Sequence, residues 1–189
     1  MQISEHFALK EFFRGGRVPS DVKTAYEMQG AHPLLHRTWC VANLLCEPAR
    51  RVWGEPILVT SGVRTQQDHD RLVSRGYKPS ETSDHLVNEV NGYATGAVDL
   101  VPMCDGYVDY DAVWDLASAM RLLAQGGHIR PGQLIREELT KDDGSVTRWI
   151  HVSLPVDSMF SYRMSPHVKA TKHRQQFLTI IDYKAEVWA

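Results

Sequence analysis

Two strand-like runs, QLIRE at 133–137 and TRWIHVSL at 147–154, bracket the triplet Asp142-Asp143-Gly144. Asp and Gly at such a junction are turn chemistry, because both tolerate the backbone angles that a tight reversal demands. The spacing therefore predicts a β-hairpin. Its second arm places His151 between Ile150 and Val152, on the alternate face of the strand. Two further strands are expected upstream: PILVTSG at 56–62, a β-branched run closed by Gly62, and GAVDLV, a short apolar run interrupted by Asp99.

Helical spacing fills the intervals. Leu34, Leu35, Val41, Ala42, Leu45, Ala49 and Val52 approximate one apolar face over 33–53, with Pro48 expected to kink or locally break it. Residues 65–75 read as a polar surface helix. Val113, Leu116, Ala117, Met120 and Leu123 share one face of a helix over 109–125 that Gly126-Gly127 ends. A short helix is expected around Leu9 to Phe13, an irregular arm up to residue 31, and a final helix over about 171–188. The order helix, strand, helix, strand, helix, hairpin, helix predicts an α+β fold with a small, largely antiparallel sheet. At 189 residues, with no repeat or linker to divide it, the chain suits one domain, 1–189.

A formal net charge of -2 gives no reason to expect nucleic acid. The basic stretch at 167–174 reads as a solvated helix start. Three cysteines without C-x-x-C spacing suggest neither a disulfide framework nor a thiolate zinc site, and Cys40 and Cys46 read as small core residues. No run approaches the length of a membrane span, and MQISEHFALKEFF lacks the charged and apolar regions of a signal peptide. Synthesis and folding in a reducing cytoplasm are the expectation.

His85, Asp99 and His151 have the donor types of a catalytic zinc site, where three protein ligands leave a fourth position to water. A lone carboxylate such as Asp99 is costly to bury in an apolar strand unless it is paired. On spacing alone two readings stand: a zinc site, or a strand histidine satisfied within the core. Asp68-His69-Asp70 has metal-binding residue types, but adjacent helical positions face different ways.

The chain resembles the zinc D-Ala-D-Ala carboxypeptidase and murein endopeptidase family, the VanX- and VanY-like peptidases, whose fold the Hedgehog signalling domain shares. The resemblance runs through SEHFALKEF (4–12), CEPARRVWGEPILVTSGVRT (46–65), SDH (83–85), AVDL (97–100), QLIRE and WIHVSL. The ordered set S-G-x-R, S-x-H, A-x-D and W-x-H is more specific than any one of its parts. It implies zinc ligands His85, Asp99 and His151, and substrate or oxyanion contacts from Arg64 and Ser83. His6-Phe7 matches the family's opening motif and looks structural, and Glu47-Pro48 makes the helix kink a feature of the fold.

Two departures stand out. Thirteen residues, Leu86 to Val98, separate His85 from Asp99, so the Asn88 to Thr95 stretch looks like an insertion into the H-x-x-G-x-A-x-D pattern. Residues 86–95 are expected to form an exposed loop, and Thr95 stands where the family glycine would, with Gly96 next to it. Many family members also place an acid three residues before the last histidine, where this chain has Arg148. Glu137 is the nearest motif-matched carboxylate and becomes the candidate general base; its other reading is an exposed strand residue paired with Arg136 or Arg148. The resemblance implies a zinc metallopeptidase acting on the peptide stem of peptidoglycan in the bacterial cell wall. Without a signal peptide or wall-binding domain, it looks more like a bacteriophage enzyme, an endolysin or a virion-borne hydrolase. The competing expectation is a non-catalytic structural or adaptor protein of a phage particle, partnered by other virion proteins.

Overall fold

The computed structural model describes residues 1–76, 79, 83–86, 96–154, 176–181 and 184–187. Helices α1 (Ser20–Glu27), α2 (Pro33–Val41), α3 (Glu47–Trp53), α4 (Gln66–Ser74) and α5 (Val113–Gln125) accompany seven strands. These are β1 (Ile57–Ser61), β2 (Ala97–Cys104), β3 (Tyr107–Val108), β4 (Gln133–Thr140), β5 (Val146–Ser153), β6 (Gln176–Ile181) and β7 (Lys184–Val187). They form one sheet in the order β1-β2-β5-β4-β6-β7, with β3 paired to β2. Every pairing is antiparallel except β4 with β6. The fold is α+β with a largely antiparallel sheet and flanking helices.

The hairpin forms where its turn residues place it. Gly144 takes φ +78°, and the Lys141 and Ser145 backbones close the reversal at 2.9 Å. Asp143 Oδ1 accepts the Ser145 N–H at 2.8 Å, a side-chain turn bond of the kind that favours Asp there. From Gln133↔Ser153 to Thr140↔Val146 the two strands then pair without a slip.

Alternation sorts the sheet's residues. Val98, Leu100, Leu134, Ile150 and Val152 share one parity and are fully buried. Against β2, β4 and β5 packs α5, with Val113, Leu116, Ala117 and Met120 buried. The 33–53 helix is continuous but changes pitch: a π-helical segment, Ala42–Cys46, precedes the turn that holds Pro48. Pro48 has no N–H to donate, and a local widening of the helix accommodates the gap. Cys40 and Cys46 are buried as expected, and burial pushes both thiols up, out of reactive range.

Three expectations need correction. Within the expected 171–188 helix the described residues are strands, Gln176–Ile181 and Lys184–Val187, and β6 joins β4 inside the main sheet; the remainder of 155–189 lies outside the described residues. FLTII is a contiguous apolar run rich in β-branched residues, for which helix and strand cannot be told apart by periodicity. The arm before residue 31 is not wholly irregular, since Ser20–Glu27 is helical and buries Val22. Within the expected 86–95 loop, Leu86 is buried and bridges to Arg64; the rest, 87–95, lies outside the described residues, as do His167 and His173. Among the described residues no helix is long and apolar enough to cross a membrane.

Candidate metal centre

Strand register assembles the site. Val59 faces Leu100, but a bulge at Thr60 then sets Ser61 opposite Asp99. Asp99 in turn faces His151, and His151 faces Ile135. Ser61, Asp99, His151 and Ile135 therefore form one row across β1, β2, β5 and β4. A bulge re-aims the strand that carries it, here at the end that leads into Gly62 and Arg64.

His85 comes from outside the sheet and is tied down at three points. Arg64 donates its backbone N–H to the His85 carbonyl at 2.7 Å, and Leu86 donates to the Ser83 carbonyl at 2.9 Å. The His85 ring contributes the third tie, Nδ1–H to the Gly62 carbonyl at 2.8 Å. With Nδ1 carrying that proton, Nε2 is left to face the site. A backbone carbonyl that fixes the distal nitrogen is how metal-ligating histidines are ordinarily oriented.

The three side chains meet. Asp99 Oδ1 lies 3.2 Å from His85 Nε2 and 3.1 Å from His151 Nδ1, and the rings are 5.0 Å apart between centroids. One donor atom from each falls within 4.8 Å of the other two. His85 and His151 are 5% and 8% exposed, so the cluster is sunk in the protein. Burial alone would raise the Asp99 carboxyl, but the charges and hydrogen bonds of His85 and His151 reverse the sign and hold it well below the usual carboxylate range. For His151 burial disfavours the charged ring, while Asp99, helped by Glu137 and Asp84, raises it overall. A largely enclosed carboxylate that stays ionised has the electrostatics of a cation site. Two nitrogens and one oxygen are also the donor set zinc takes. The residues present fit the ion.

Arg64, half-buried, feels burial first, which lowers its pKa; Asp99 and Asp68 oppose that and Arg14 adds to it. Its guanidinium is thus within electrostatic reach of the Asp99 carboxylate. Ser83, also half-buried, sits in the turn that presents His85.

Glu137 pairs in register with Trp149 and so shares the parity of His151, two residues on. Desolvation raises its carboxyl; His151 and His85 act to lower it and Asp99 to raise it. It is half-buried and lies on the side of His85, Asp99 and His151 rather than standing exposed. Arg148 goes elsewhere. Its Nε donates to Glu138 Oε2 at 2.6 Å, its Nη1 reaches Asp111, and its guanidinium lies 5.9 Å from the centre of the Trp114 ring.

Other candidates separate. Asp68 caps α4 with Thr65 and Asp70 bonds Gln66, so the Asp68-His69-Asp70 carboxylates diverge. His69 is buried, which a plain surface helix did not anticipate, and His128 is exposed. A second acid–histidine group, Glu5, His6 and Glu47, lies at the N-terminal arm. Its chemistry is that of a clasp: buried Glu47 accepts the His6 backbone N–H at 2.7 Å and the ring Nδ1–H at 2.8 Å, while Arg51 holds Glu5 at 2.8 Å.

Sequence reasoning missed the Gly62 carbonyl, which no side-chain pattern signals, and Asp84, whose place beside His85 was a usable sign. No protein-family model matches the chain, and neither does any curated protein or solved structure.

Proposed function

We propose that the chain is a zinc-dependent peptidase that hydrolyses a peptide bond in bacterial peptidoglycan, as a phage lysis or virion-associated enzyme. The observation that carries it is the convergence of His85, Asp99 and His151 from three separate motifs onto one buried point, with the distal nitrogen of His85 already spoken for. The substrate class rests on the motif resemblance, since the geometry by itself supports a metal-assisted hydrolase of any amide.

When bound, zinc supplies a Lewis acid for the scissile carbonyl and lowers the pKa of a water to about 7. Glu137 then fits the proton carrier: it takes the proton of the attacking water and hands it to the departing amine. Its raised carboxyl suits that shuttle, which needs a group able both to accept and to release. Arg64 would meet the negative charge that develops on the carbonyl oxygen, a role supported by its charge interaction with Asp99. Ser83, in the turn that carries His85, is the proposed substrate contact.

The test is zinc content of the purified chain, followed by release of peptide from peptidoglycan and from stem peptides. One equivalent of zinc together with hydrolysis supports the reading. No zinc uptake refutes it, and zinc without hydrolysis of any wall peptide moves the chain to a non-catalytic role in a phage particle.

A further inference from the structure

We infer that the N-terminal arm is the outer support of the metal centre, acting through the backbone of Phe12 and through Gly62 as a positioning residue. This rests on the metal reading above and says which part of the chain makes it work. The contact that carries it is unusually close. A Cβ built on Gly62 would lie 2.3 Å from the Phe12 carbonyl oxygen and 2.7 Å from the Phe12 Cα and carbonyl carbon. All three are backbone atoms of a fully buried residue, so nothing there is a flexible tip that can swing aside. Only glycine lets the arm and the end of β1 approach this far.

What the approach fixes is a hydrogen bond. The Gly62 carbonyl accepts the His85 Nδ1–H at 2.8 Å, so the peptide wedged against Phe12 is the one that sets the ring plane of His85. Two residues on, the Arg64 N–H holds the His85 carbonyl. Both ends of the His85 residue therefore hang from the 62–64 backbone, and that backbone leans on the arm. The arm is itself anchored. Glu47, buried at the start of α3, grips His6 by backbone and ring, next to Phe7, which packs edge-on with Phe12 at 6.0 Å between ring centres. From Glu47 through His6, Phe7, Phe12 and Gly62 to His85, each link is a direct contact. The arm thus does more than complete the core. It determines where Nε2 of His85 points.

The test is Gly62→Ala in the full chain. Zinc affinity is read by competition with a chromophoric chelator, and the metal-free His85 Nδ1–H by its proton–nitrogen resonance, with circular dichroism and thermal melting as controls for folding. The variant is expected to fold, to bind zinc 10- to 100-fold more weakly, as loss of an outer-shell partner does, and to lose or shift the Nδ1–H resonance. A folded variant with both readouts unchanged overturns the inference. If Gly62→Ala does not fold, Glu47→Gln decides: it keeps the side-chain shape but loses the charge that holds His6, and should weaken zinc and speed exchange of the same proton. No change in either readout there overturns it as well. A wild-type chain that binds no zinc defeats the metal reading alone, because the Nδ1–H resonance is still measured without metal.

Discussion

Glu137→Gln separates two consequences of one environment. Glu137 is register-paired with Trp149, and His151 lies two residues further along the neighbouring strand. Diagonal neighbours of this kind sit roughly 7–8 Å apart at the backbone, a gap that a glutamate side chain and one water span. If that carboxylate carries the proton, replacing it costs a general base, about 10²- to 10⁴-fold in kcat, or about 3–5 kcal/mol of transition-state stabilisation. Gln keeps the volume and removes only the acid–base function, so zinc stoichiometry should stay at the wild-type value.

Stability should move the other way. Desolvation raises the Glu137 carboxyl, so the folded chain holds this proton to higher pH than the unfolded chain does. The folded state then binds more protons than the unfolded one across that window. Its stability is highest below the unfolded value, ~4.3, and declines as pH climbs through the raised folded value. Gln has no proton to lose. The variant should therefore melt higher than wild type at neutral pH, with the advantage vanishing in acid; each kcal/mol of gain reads as roughly 2–4 °C in Tm. The assay is a pair of curves, peptide hydrolysis and melting temperature against pH. Unchanged hydrolysis with zinc in place would remove Glu137 from the mechanism, and a neutral-pH Tm at or below wild type would refute the desolvation account.

His151→Ala should abolish stoichiometric zinc binding while the circular dichroism stays native, because catalytic sites are less tied to folding than structural ones; a chain that unfolds instead makes the site structural. Arg148→Ala should cost about 1–2 kcal/mol in denaturant unfolding, from a lost cation–π contact and the ion pair to partly buried Glu138, and leave zinc affinity unchanged. Gly96→Ala should destabilise, since its Cβ would come within 3.0 Å of Val41 Cγ2 and 3.3 Å of Leu154 Cδ1; a Tm equal to wild type would mean that those side chains yield freely. Deleting seven residues from the 88–95 stretch should leave folding and zinc binding intact, and loss of either would place that stretch among the supports of the site.

Parts of the fold that were legible share a cause: their signal is local. The hairpin was written in Asp142-Asp143-Gly144, and α5 in an apolar face ended by Gly126-Gly127. The convergence of His85, Asp99 and His151 was legible as three motifs, though spacing alone favoured a core histidine over a metal ligand. What was not legible depends on partners distant in the chain. FLTII reads as helix or strand until β4 is there to pair with it. The Thr60 bulge and the Gly62 carbonyl have no side-chain signature, since both are properties of how two backbones meet.

Arg148 shows what strand parity adds to a motif. Three positions before His151 in a regular strand is an odd step, which puts residue 148 on the face opposite His151 and Asp99. The contacts agree: Arg148 reaches Glu138, Asp111 and Trp114, on the side where α5 packs. A base at position 148 of this strand would be turned away from the His85–Asp99–His151 cluster whatever its identity, so arginine there is compatible with the proposed hydrolysis. Glu137 lies across from Trp149, an even step from His151, and its surroundings include both histidines and Asp99. Swapping the two, Glu137→Gln with Arg148→Glu, should therefore fail to restore hydrolysis. Recovery to within tenfold of wild type would mean that β5 twists enough to bring residue 148 round to the metal, and that the parity assignment is wrong.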